Sequence, residues 1–157
     1  LQGLGHYRVI NGYINFFKFK LILDVGCGEG ILFSKINPEL YNKYVGLDIS
    51  KTAIKSFKKI KNKKTKLIIS DLIKYNPNMK FDLIIFCESI SYPKDPIKVL
   101  NIYKNFLKNH GKIIISNYRE KNKNSFWDHI PNDLKLLDSN LLQNNGLFWR
   151  IDLYEKS

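Results

Sequence analysis

The sequence predicts an α/β fold: a mainly parallel, seven-stranded sheet with helices on both faces and an antiparallel terminal hairpin. Three observations carry that expectation. The run Leu21-Ile22-Leu23-Asp24-Val25-Gly26-Cys27-Gly28-Glu29-Gly30 is an apolar, β-favouring stretch that ends in an acid, followed by glycines at alternate positions. That is how a buried parallel strand running into a ligand loop reads. Further apolar runs alternate with segments of helical spacing along most of the chain, as β-α repetition requires. Near the end, Asn144-Asn145-Gly146 is followed by Leu147, Trp149, Ile151 and Leu153 alternating with Phe148, Arg150, Asp152 and Tyr154, the signature of a hairpin.

Taken in order, a leading amphipathic helix is expected over His6 to Lys18, where Ile10, Ile14 and Phe17 recur at helical spacing with Val9, Tyr13 and Phe16 beside them. Strand one is Lys20 to Val25. A short helix from Ile31 to Ile36 stops before Asn37-Pro38, because the residue preceding proline avoids helical backbone. Lys43 to Asp48 makes strand two, and Ser50 caps a helix that buries Ala53, Ile54, Phe57 and Ile60. Lys66 to Ser70 and Phe81 to Cys87 are strands three and four. Asp95-Pro96 supplies a cap and a first-turn proline for a helix to Lys108, with Ile97, Leu100, Tyr103, Phe106 and Leu107 inward. His110-Gly111 ends it, Lys112 to Ser116 is strand five, and Asn117 to Asn124 reads as a loop. Leu134–Gln143 and Leu147–Tyr154 form the hairpin.

At 157 residues the chain reads as one domain, with 1–19 a leading helix or lid and 20–157 the sheet core. No apolar run approaches the roughly 18 residues of a membrane span. No signal peptide is visible, and a cytoplasmic setting is expected, although the chain opens on Leu1 and its natural start can lie upstream. Cys27 and Cys87 have neither disulfide-framework nor zinc spacing, so no metal is expected. The net charge of +12 raises a nucleic-acid partner. However, the main cluster, Lys51, Lys55, Lys58, Lys59, Lys61, Lys63, Lys64 and Lys66, lies on or after one helix. The chain also has 23 Lys against 3 Arg, whereas phosphate recognition favours more Arg. A solvated face is the favoured reading, and nucleic acid stays possible.

The glycine spacing bears on the ligand. A dinucleotide loop reads G-x-G-x-x-G, and here Ile31 stands where its third glycine would be. The form Asp24-x-Gly26-x-Gly28-x-Gly30 instead resembles motif I of the class I S-adenosylmethionine-dependent methyltransferases. The plan of β-α units closed by a reversed last strand resembles that family from end to end. The resemblance implies the Rossmann-like class I fold, S-adenosylmethionine as cofactor, and Asp24, Gly26, Cys27, Gly28 and Gly30 in its binding loop.

Asp48, at the end of strand two, matches the family's acid that accepts from both ribose hydroxyls, with Ile49 against one adenine face; a helix-capping role is the alternative. Asp71-Leu72 resembles the third motif, in which Asp71 accepts from the adenine amine and the Leu72 N–H reaches a ring nitrogen. An ordinary turn aspartate is the alternative there. Phe81 to Tyr92 resembles the fourth motif, placing Cys87, Glu88 and Ser89 at the cofactor and acceptor mouth, with Asp82 a distant structural acid. Cys87-Glu88-Ser89-Ile90 lacks the Asn/Asp-Pro-Pro-Tyr form of amino-methylating DNA and protein enzymes, and Gly111 to Ser116 resembles the fifth-strand signature.

What remains resembles the small-molecule branch, which implies methyl transfer to an O or N atom of a small acceptor; a monomer or homodimer is expected. An RNA or protein acceptor, or a non-catalytic adenosylmethionine-binding domain, is the alternative. Displacement at an already activated methyl needs alignment more than a base. Glu88, Tyr92 and His129 are the catalytic candidates, each with a bland alternative as loop, lid or surface residue. Phe126 and Trp127 are expected to line or cover the pocket.

Overall fold

The computed structural model describes residues 4–119 and 126–157. Seven strands form one sheet in the order β3-β2-β1-β4-β5-β7-β6. They are β1 (Leu21–Val25), β2 (Lys43–Asp48), β3 (Thr65–Ile69), β4 (Phe81–Cys87), β5 (Leu107–Arg119), β6 (Leu134–Asn144) and β7 (Leu147–Lys156). β1 to β5 pair in parallel, and β7 runs antiparallel to both β5 and β6. The order reverses between β1 and β4, and an α/β sheet opens a crevice at the carboxyl ends of the strands beside such a switch.

The sheet separates two cores. On one face α1 (Gly5–Phe17) and α2 (Lys51–Phe57) bury Ile10, Ile14, Ile54 and Phe57 against Ile22, Tyr44 and Leu83. On the other, α3 (Pro96–Tyr103) buries Val99, Leu100 and Tyr103 against Leu23, Ile84 and Ile113. The alternation of strand side chains between faces sorts the two sets. Caps fall where expected: the Ser50 hydroxyl accepts from the Ala53 N–H at 3.1 Å and Asp95 from the Lys98 N–H at 2.9 Å, each worth about 1 kcal/mol. Asn145 and Gly146 both take positive φ, the backbone that a tight two-residue hairpin requires. Asp82 is a structural acid, accepting from the Lys20 and Leu21 N–H groups and pairing with Lys108.

Several expectations are corrected. The helix expected over Ile31 to Ile36 is a single 3-10 turn, Phe33–Lys35. α2 stops at Phe57, which leaves Ile60 exposed. Phe17 closes α1 without being buried. α3 ends at Tyr103, a 3-10 turn spans Lys104–Phe106, and Leu107 pairs with Phe81 as part of β5, so it does not extend the helix. His110, at positive φ, lies within that strand. β5 also runs past Ser116, because β7 offers partners there: Asn117 faces Arg150 and Tyr118 faces Trp149. The rest of the expected loop, 120–124, lies outside the described residues.

Trp127 is a core residue and does not line the cavity, for it is buried against the α3 face with the Arg150 guanidinium 4.5 Å from its ring. Of the lysine cluster, Lys51, Lys55, Lys58, Lys59, Lys61, Lys63 and Lys66 are exposed. Lys64 differs, its ammonium donating to the carbonyls of Pro38 and Tyr41. Among the described residues no helix is long and apolar enough to cross a membrane.

Candidate active site

The glycine loop leaves β1 by bending over β2: the N–H groups of Gly26 and Cys27 both donate to the Leu47 carbonyl, at 2.7 and 3.0 Å. Gly26 sits at φ +76, and a Cβ there would lie 2.4 Å from the Ser89 Cβ. Ser89 is buried and its hydroxyl donates to the Val25 carbonyl, binding the end of β4 to the end of β1. Gly30, at φ +85, has the Phe57 ring 2.8–2.9 Å from where its Cβ would be. It is buried and lines neither cavity described below, so the third glycine seats the loop on α2. Cys27 is buried under the loop with its sulfur against Gly46, and burial pushes its thiol pKa up.

A cavity of about 600 Å³ opens at the carboxyl ends of the strands. On its β2 wall, Asp48 accepts from the Gly28 N–H on Oδ2 and from the Ser50 N–H on Oδ1, both at 2.8 Å. A carboxylate has about four acceptor positions, so each oxygen keeps one. The helix cap is Ser50, which leaves Asp48 as the residue that fastens the loop. Ile49 is 66% exposed and lines the same wall. Asp71 and Leu72 form the β3 wall. Asp71 is also a turn residue, its Oδ1 accepting from the Ile73 N–H at 2.7 Å, and the turn is tied to α3 by the Tyr103 hydroxyl donating to the Leu72 carbonyl at 2.9 Å.

A second cavity of about 110 Å³ adjoins the first, sharing Gly26, Gly28 and Cys87 as lining residues. Asp24 and Tyr7 also line it. Asp24 is 1% exposed and accepts from the Tyr44 hydroxyl at 2.5 Å. Burial pushes its pKa up to about 7 against that hydrogen bond. Tyr7, from α1, has its phenol pushed up to about 12 by burial and then by the fields of Cys87, Glu88 and Asp24.

Of the catalytic candidates, Glu88 and Tyr92 line the larger cavity on its β4 side. Glu88 is half-buried and takes positive φ, +57. Its N–H donates to the Ser116 carbonyl at 2.8 Å, and its carboxylate accepts from the Ser116 hydroxyl at 3.1 Å and the Tyr118 N–H at 2.9 Å. Burial raises its pKa and those two donors oppose the rise. Tyr92 stands at the rim, 84% exposed. His129 is exposed on the turn Phe126–His129 and lines neither cavity.

Sequence reasoning missed Tyr7, Tyr44 and Tyr103, and it placed Ser89 at the mouth without its tie to Val25. Tyr44 had a local signal, lying within strand two. Tyr7 and Tyr103 reach the site only through the packing of α1 and α3. Among the described residues no group of three or more His, Cys, Asp or Glu could hold a metal ion.

Residues 18–147 match the family model described as "Methyltransferase domain". The chain is 32% identical over 123 residues to malonyl-[acyl-carrier protein] O-methyltransferase 2 of Ilyobacter polytropus, an alignment covering 76% of this chain and 46% of that protein. It thus spans about half the length of that relative. Among solved structures, the N-methyltransferase NodS from Bradyrhizobium japonicum WM9 superposes with a TM-score of 0.81 at 13% identity, covering 99% of both chains. Magnesium protoporphyrin IX methyltransferase (ChlM) from Synechocystis PCC 6803, with bound S-adenosylmethionine, gives 0.74 at 16% identity over 98% of this chain and 81% of that one. At such identities these two speak for the fold alone. The family match, the relative and the glycine loop at the switch point together place the chain in the class I S-adenosylmethionine-dependent methyltransferases.

Proposed function

We propose that this protein transfers a methyl group from S-adenosylmethionine to a small-molecule acceptor. The observation that carries the reading is the Asp48 carboxylate, fixed by the glycine loop on one oxygen and by Ser50 on the other, with an acceptor position left on each at the cavity wall. Two neighbouring ribose hydroxyls are what such a carboxylate suits. The remaining lining fits the rest of the cofactor. Ile49 and Leu72 offer apolar faces for the adenine, Asp71 an acceptor for its amine, and the smaller cavity beside Asp24 and Tyr7 room for the amino-acid end. Gly28 lines both cavities, and a Cβ on it would meet nothing within 4 Å, so the backbone is open to close approach there.

When bound, S-adenosylmethionine supplies a methyl carbon on a positively charged sulfur, whose bonding pair leaves with the sulfur as the acceptor's lone pair takes the carbon. The chain's own residues then have two tasks, orientation and exclusion of water. Asp48 and the glycine loop fix the cofactor's position. Glu88 and Tyr92, on the β4 side, orient the acceptor. His129 is given no part.

The charge gives little support to a nucleic-acid acceptor. α2 starts beside the cavity at Lys51 and leads back toward the amino end of β3 at Thr65, so Lys58 to Lys63 lie toward the amino ends of the strands, away from the mouth at their carboxyl ends. The Ilyobacter relative's name favours a second reading, an acyl group carried on a protein. One assay separates the acceptors: transfer of radiolabelled methyl to metabolite, RNA, protein and acyl-carrier-protein pools. Label in the metabolite fraction is expected. Label confined to RNA or protein would overturn the small-molecule reading.

A further inference from the structure

We propose that the acceptor end of the larger cavity is built for a primary or secondary amine, which docks as a cation on the Glu88 carboxylate and passes one proton to it, freeing the nitrogen lone pair that takes the methyl. The inference rests on the methyl-transfer reading and deepens it by naming the acceptor class.

Glu88 is the first residue past β4 and sits at φ +57, a conformation disfavoured for a residue with a Cβ. Three hydrogen bonds to β5 hold it there, one from its own N–H and two to its carboxylate. The side chain is thereby fixed in the wall between β4 and β5 before any ligand arrives. Each carboxylate oxygen accepts a single hydrogen bond from the protein, Oε1 from Ser116 and Oε2 from Tyr118. One acceptor position therefore remains on each.

Glu88 is half-buried, yet among the described residues Lys104, Lys108, Lys112 and Arg150 pair with other acids and none pairs with it. A desolvated carboxylate without a cation is costly, and a cationic ligand with N–H donors offsets that cost.

The surroundings point the same way. Among the described residues the charged groups lining the larger cavity are all acidic, Asp48 and Asp71 on the cofactor walls and Glu88 on the acceptor side. An acceptor carrying a carboxylate would meet like charge at this mouth, and an alcohol would bring one donor and no charge. Tyr92 at the rim adds an aromatic ring, whose face attracts cations. The Ilyobacter relative is named for a malonyl acceptor, and this mouth departs from what a carboxylate would need.

The test uses the protein saturated with S-adenosylhomocysteine, so that nothing turns over, and three probes of one shape: benzylamine, benzyl alcohol and benzoate. Their binding is followed by NMR titration. Protonated benzylamine should bind at least about tenfold more tightly than benzoate, with benzyl alcohol between them. Glu88→Gln keeps the shape and removes the charge, and Glu88→Asn removes the charge with a residue that tolerates positive φ. In both, the preference for amine should fall by about tenfold, with S-adenosylhomocysteine affinity kept within about twofold.

Benzoate binding as tightly as benzylamine in the wild type would overturn the inference without needing any variant to fold. So would an amine preference that survives both substitutions. Failure of S-adenosylhomocysteine to bind the wild type would instead remove the methyl-transfer reading, and this inference with it.

Discussion

At the ends of β1 and β2, Gly28 and Asp48 meet through a 2.8 Å hydrogen bond between residues 20 positions apart. At the ends of β4 and β5, Glu88 reaches Ser116 and Tyr118 across 28 and 30 positions. The first contact joins the carboxyl ends of two neighbouring parallel strands, and its participants are special residue types: a glycine loop and an acid at a strand end. The second depends on how far β5 extends past the sheet edge, which β7 decides by pairing Tyr118 with Trp149. The cofactor half of the cavity is therefore built from local chemistry. The acceptor half is built from long-range packing by β5 and β7.

The largest effect is expected where the two halves touch. Gly26→Ala would put a Cβ 2.4 Å from the Ser89 Cβ at φ +76. It should lower stability by about 3 kcal/mol or more, read as a drop in the urea midpoint. Ser89→Gly in the same chain relieves the clash and leaves the backbone strain, so the double variant should recover part of the loss. Strictly additive effects would break the claim that these residues couple the two halves.

Within the cofactor half, Asp48→Ala removes a carboxylate that accepts from two backbone N–H groups and, on the proposed reading, from a ribose. Losing charged hydrogen bonds costs about 1.5–3 kcal/mol, so S-adenosylhomocysteine affinity should fall on the order of tenfold to a hundredfold by calorimetry. An unchanged affinity would confine Asp48 to fastening Gly28 and Ser50.

The packing of α1 should show itself through pH. His6, on α1, is 5% exposed, lies against Tyr7 and Trp149, and among the described residues has no hydrogen-bond partner on either ring nitrogen. Burial lowers its pKa from 6.5 to about 4. It is neutral in the fold, while the unfolded chain takes a proton below about 6.5. Stability is therefore lost as pH falls from 6.5 toward about 4, and this contribution is flat below that. Asp24 acts in the opposite sense: its pKa is raised from 3.8 to about 7, so its contribution is lost as pH rises through that range. The difference between wild type and His6→Phe isolates the histidine. Its urea midpoints should diverge in slope between pH 6.5 and 4, and parallel curves would contradict the burial argument.

The smallest effect is expected at the exposed lysines. Replacing Lys58, Lys59 and Lys63 with Gln should leave methyl transfer and its salt dependence unchanged. Steep, salt-sensitive RNA binding lost in that variant would restore the nucleic-acid reading.

The same contrast explains what was legible in the sequence. Asp24 to Gly30, Asp48, Ser50, Asp95-Pro96 and Asn145-Gly146 carry their conformations in their own residue types, so strand ends, caps and the final turn could be read directly. Gly30 was read as a ligand contact because its spacing belongs to the loop; only the approach of Phe57 reveals a packing role. Leu107 fits the apolar stripe of α3, but pairing with Phe81 overrides helical propensity there. Tyr7 is an ordinary helix position until α1 docks beside Cys87 and Asp24. The positive φ of Glu88 has no signal in a residue type that rarely adopts it.

The most direct test of the account is calorimetric titration of the unmodified protein with S-adenosylmethionine, NAD and ATP in parallel. The geometry of Asp48, the glycine loop and the two joined cavities predicts micromolar binding of S-adenosylmethionine, and none of comparable strength for the other two. Heat from NAD or ATP with none from S-adenosylmethionine would contradict it.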